Sequence, residues 1–96
     1  MDKASKVETT FYGLLKRVFQ EEKKQVDLSK ALNIRTLLLG LCNSRERHDR
    51  IFDEYGNVRQ NISIFINGRN ILFLKGLETE LNAGDSVAIF PPMAGG

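Results

Sequence analysis

The stretch GDSVAIFPPMAGG, residues 84–96, decides how the rest of the chain is read. Gly84 and Asp85 mark a turn. Behind them Val87 and Ile89 alternate with Ala88 and Phe90, the period-two pattern of a strand with one face in a core. Pro91 and Pro92 must end that strand, because proline has no backbone N–H to give to a sheet ladder. Their φ, held at about −65°, favours an extended exit that points Met93, Ala94, Gly95 and Gly96 away from the domain.

Upstream, NISIFINGRNILFL (61–74) sets Ile62, Ile64 and Ile66 on one face, and Asn67-Gly68 is a dipeptide that suits a tight hairpin because both residues tolerate positive φ. Two strands are expected to meet there. Between this hairpin and the last strand, Leu77 and Leu81 anchor a short turn. Further back, Asn33 reads as an N-cap, and Ile34, Leu37, Leu38 and Leu41 follow at i, i+3, i+4 and i+7, the stripe of an amphipathic helix packed on a sheet. The first strand is KVETTFYG (6–13), with Val7, Thr9 and Phe11 on one face and Tyr12 turned outward with Glu8 and Thr10. A polar turn region leads to a second strand around Val26 and Leu28, paired with the first as a hairpin. SRERHDR (44–50) is too charged for a core and reads as a solvated helix end or loop, with irregular structure around Gly56. The expected order is β-β-α-β-β-β, an α+β domain with one principal helix covering one face of a mostly antiparallel sheet.

Composition narrows the function. Ninety-six residues with 42% hydrophobic content suit one domain with one core. A charge of +2, with Lys and Arg spread along the chain, argues against nucleic acid as a partner. No apolar run approaches the roughly 20 residues of a membrane span, and MDKASKVETT lacks the apolar centre of a secretory signal, so a cytoplasmic location away from membranes is expected. One cysteine excludes an internal disulfide and a cysteine-rich zinc site. No phosphate-cradling glycine motif is present, so the chain is expected to bind no cofactor and any ATP must be held by another protein. Cys42 falls back on the apolar stripe and reads as packing, His48 as a solvated residue, and Asp49, Asp53 and Glu54 as surface charges without a specific pattern. No catalytic site of the chain's own emerges.

What remains is the tail. Ala94, Gly95 and Gly96 are slender enough for a channel that excludes larger side chains, and the proline pair lowers the entropy cost of docking. The reactive group such a tail delivers is its terminal carboxylate, a poor electrophile until activated, for instance as an acyl-adenylate. The chain resembles the MoaD and ThiS group of ubiquitin-like, β-grasp sulfur carriers, in KVETTFYG, the FDEYGNVR turn region (52–59), the FINGRNI hairpin (65–71) and the terminal block. Within that group it is similar to the small subunit of molybdopterin synthase and to small archaeal modifier proteins.

The resemblance implies a β-grasp domain over residues 1–90, with a mixed sheet, and a tail over 91–96. It implies that an E1-like enzyme using ATP and Mg adenylates Gly96, that a thiocarboxylate follows, and that its sulfur goes to a molybdopterin precursor with a molybdopterin synthase large subunit as partner. Some relatives join the glycine to substrate lysines instead, a modifier role; an inert interaction module is the third reading. First and last strands lie side by side in such domains, so Tyr12 and Phe90 are expected as neighbours on the outward face. With Pro91, Pro92, Met93 and Ala94 they form the expected partner surface. Asn70 departs from the group, standing where relatives often carry an apolar residue.

Overall fold

The computed structural model describes residues 5–92. Five strands form one mixed sheet: β1 (Lys6–Phe11), β2 (Lys23–Asp27), β3 (Ser63–Ile66), β4 (Arg69–Asn70) and β5 (Ser86–Phe90), in the spatial order β2-β1-β5-β3-β4. The central pair, β1 with β5, is parallel, in the register Thr9↔Val87 and Phe11↔Ile89; the other pairs are antiparallel. This is the ubiquitin-like β-grasp arrangement. The first and last strands are thereby neighbours at the middle of the sheet, and because they run parallel Phe11 at the end of β1 lies beside Ile89 near the end of β5.

The inward face carries Val7, Thr9, Phe11, Ile64, Ile66, Val87 and Ile89, all buried. Helix α2 (Ile34–Leu41) lays Ile34, Leu37, Leu38 and Leu41 against it, the stripe read from the sequence. Asn33 caps this helix in both directions: its Oδ1 accepts from the Thr36 N–H at 2.9 Å, and Thr36 Oγ1 accepts from the Asn33 N–H at 3.0 Å. Such a reciprocal cap satisfies two backbone donors that a helix start leaves open.

Three expectations are corrected. The polar turn between β1 and β2 contains a helix, α1 (Leu14–Phe19), because Leu15 and Phe19, four apart, both reach the core and Phe19 stacks on Phe11 with ring centroids 4.4 Å apart. SRERHDR is neither a helix end nor a loop. It forms most of a separate helix, α3 (Arg45–Ile51), whose start is capped by Ser44 Oγ and whose last residue is buried. The second strand of the Asn67-Gly68 hairpin is two residues long, because Asn70 Oδ1 accepts from the Leu72 N–H at 2.9 Å and winds Ile71–Phe73 into a 3-10 turn. The turn itself is as expected, with φ of 51° at Asn67 and 84° at Gly68. Among the described residues no helix is long and apolar enough to cross a membrane.

Candidate functional site

The parallel β1–β5 pair brings the expected partner residues together. Tyr12 follows β1 directly and is tied to β5 by its N–H, which donates to the Ile89 carbonyl at 3.1 Å. Its ring stacks on Phe90, centroids 4.4 Å apart and planes 11° from parallel. The rings therefore shield each other, leaving Tyr12 39% exposed and Phe90 half-buried. Phe65 completes the row from β3, edge-on to Phe90 at 5.5 Å. It faces Ala88 in the β3–β5 ladder, so Phe65 and Phe90 are diagonal neighbours on the outward face. The sequence reading missed Phe65; its place between the inward Ile64 and Ile66 was the available signal.

Gly13 was missed too. Its φ is +56° and its ψ −135°, a conformation open to glycine, and a Cβ there would lie 2.8 Å from Pro91 Cγ. Pro91 is thus seated against the start of α1, half-buried, while Pro92 is exposed. A shallow cleft at this root is lined by Leu14, Ile62, Arg50 and Arg59 together with the two prolines. The tail leaves the sheet beside the aromatic row. Met93, Ala94, Gly95 and Gly96 lie outside the described residues.

The other candidate groups have structural surroundings. Cys42 ends α2 half-buried among core residues, and burial pushes its thiol up to about 11, partly offset by Arg47, so it is protonated at neutral pH. His48 is not simply solvated: its ring stacks on Phe52 at 4.9 Å. Asp53 Oδ1 accepts the Tyr55 and Asn57 N–H groups and shapes the turn at Gly56. No group of three or more His, Cys, Asp or Glu side chains that could hold a metal occurs among the described residues. What the site offers is an aromatic surface beside a chain exit.

Comparison with known proteins gives the same architecture a family. The model of the ThiS family matches residues 9–96. Over 48 residues the chain is 48% identical to the "Putative sulfur carrier protein" of Archaeoglobus fulgidus, covering 50% of this chain and 54% of that one. Over 43 residues it is 44% identical to small archaeal modifier protein 3 of Haloferax volcanii, covering 45% and 47%. The aligned stretches thus span about half the length of these curated relatives. The solution structure of small archaeal modifier protein 1 from Methanosarcina acetivorans superposes with a TM-score of 0.78 at 28% identity, over 96% of this chain and 97% of that one.

Proposed function

This chain belongs to the ThiS family of small ubiquitin-like carrier and modifier proteins, and we propose that it works as a sulfur carrier whose reacting atom is the carboxyl carbon of Gly96. The observation that carries the reading is the tail root: Pro91 lies against Gly13 beside the Tyr12–Phe90 stack, so a partner that grips the aromatic row also receives the chain end. Residues 91–96 act as the tail, with Met93 and Ala94 leading Gly95 and Gly96 into the partner's channel.

The chemistry follows in two steps. An E1-like partner, holding ATP and Mg, joins the Gly96 carboxylate to the α-phosphate and releases pyrophosphate. Hydrosulfide then attacks the Gly96 carbonyl carbon, forming the C–S bond as the C–O bond to AMP breaks, and leaves a thiocarboxylate; if the nucleophile is a protein persulfide instead, a thiol must reduce the resulting acyl disulfide to give the same product. Its sulfur passes to a molybdopterin precursor on a partner resembling the molybdopterin synthase large subunit, and water restores the carboxylate. A second reading, conjugation of Gly96 to substrate lysines, is favoured by the modifier names of two of the similar proteins.

Mass spectrometry of the protein from its native cells separates the two. A carrier is recovered free, part of it heavier by the difference between sulfur and oxygen, and loses that mass on mixing with an acceptor complex. A modifier leaves the Gly76–Gly96 peptide on substrate lysines after trypsin, because Lys75 is the last basic residue. Deleting Gly96, or adding one residue after it, should abolish adenylate formation without changing the melting temperature. Phe90→Lys should weaken binding to the activating enzyme by about 2 kcal/mol. Adenylate formation by the extended chain would remove Gly96 from the mechanism.

A further inference from the structure

The β3–β4 edge of the sheet carries a surface that adjoins the tail root, sharing Arg59 and Ile62 with it, and extends beyond it to Leu72 and Phe73. β4 follows β3 through Ile66↔Arg69 and Phe65↔Asn70 and then turns away, so among the described residues Ser63 and Ile64 pair with β5 on one side and with no strand on the other. A cleft of about 420 Å³ opens there, with Ile62, Ile64, Ile71 and Leu72 supplying apolar lining and Arg59 the one charge. Such a volume suits a few side chains of a bound segment. Beyond it, Leu72 and Phe73 stand 80% and 86% exposed, adjacent large apolar residues held out by the Asn70-capped turn. Phe73 lines a second cleft with Phe65 and Arg69.

Exposing two neighbouring large apolar side chains is unfavourable unless something covers them. The charge around them specifies what. Neither cleft is lined by a carboxylate, and each has one arginine. The Arg59 Nε donates to the Asp49 carbonyl, which leaves its terminal nitrogens without a partner among the described residues; the Arg69 side chain has none there at all. A second copy of this chain fits poorly, since a twofold pairing would set these arginines against each other with no acid between them.

The geometry points to this edge as a docking site for an extended segment of a partner protein, with an apolar side chain in the cleft beside Leu72 and carboxylates meeting Arg59 and Arg69. The short unpaired length of β3 offers backbone groups to such a segment, and the arginines set its charge.

The test is selection of random decapeptides displayed on phage against the full-length chain, followed by titration of isotope-labelled protein with the strongest binder. The expected consensus is an apolar residue flanked by Asp or Glu, with amide shifts at Ile64, Ile71 and Leu72. Leu72→Asp and Arg69→Gln, both at exposed positions and checked for folding by circular dichroism, should each weaken binding about tenfold. Failure to enrich any peptide, a consensus without acids, or shifts confined to Tyr12 and Phe90 would overturn the proposal. Concentration-dependent shifts around Leu72 in the protein alone would assign the edge to a second copy instead.

Discussion

The hydroxyl of Thr9 is fully buried on the inward face of β1 and has no hydrogen-bond partner among the described residues. A buried hydroxyl left unsatisfied costs free energy, whereas a methyl group of the same shape does not. Thr9→Val should therefore raise stability by about 1 kcal/mol, read as a higher urea midpoint with unchanged slope. The sequence assigned Thr9 to the buried face through the alternation with Val7 and Phe11. Its missing partner was not legible, because that depends on which atoms of α2 and the neighbouring strands come within reach. Cys42 repeats the lesson: the helical stripe pointed it inward, but its elevated thiol follows from how much apolar surface surrounds it.

At the scale of elements, Arg47 joins α3 to α1. Its Nε donates to the Val18 carbonyl at 3.1 Å and its Nη2 to the Phe19 carbonyl at 3.2 Å, while the guanidinium lies over the Phe19 ring at 5.5 Å. These carbonyls belong to the last turn of α1, where no intrahelical donor remains. Arg47→Met should cost about 1 to 2 kcal/mol in chemical denaturation, and Arg45→Met, exposed on the same helix, close to nothing. The charged run SRERHDR was read as solvent-facing because single-residue polarity does not reveal a distant acceptor. Arg47 reaches across 28 and 29 residues of sequence to find its carbonyls. The same limit hid α1, whose six residues are too few to make a helix without the core that receives Leu15 and Phe19.

On the scale of the whole molecule, the parallel β1–β5 pair makes a junction between the first strand and the chain exit. Gly13 and Pro91 meet at that junction, and any side chain at Gly13 faces both an unfavourable φ and a collision with the proline ring. Gly13→Ala should lower stability by about 1 to 2 kcal/mol. It should also shift the amide resonances of Ile89 and Phe90, because Pro91 must move to admit a methyl group. Unperturbed resonances at β5 would show that Pro91 is not seated there in solution.

By itself the sequence determined the local patterns: the alternating strands, the α2 stripe with its Asn33 cap, the Asn67-Gly68 turn and the proline stop after Phe90. Each of these is a preference over a few consecutive residues, set by backbone sterics and by side-chain period. Even the neighbouring of Tyr12 and Phe90 came from family resemblance and not from either strand's own pattern. Tertiary structure alone decided how closely those rings stack, that Phe65 joins them, that Pro91 rests on Gly13, and that Leu72 and Phe73 stay exposed near Arg59 and Arg69, neither of which has a carboxylate partner among the described residues. These contacts join residues far apart in the chain. Their energies arise when the sheet closes and brings the groups within van der Waals or hydrogen-bonding reach, which no local period encodes.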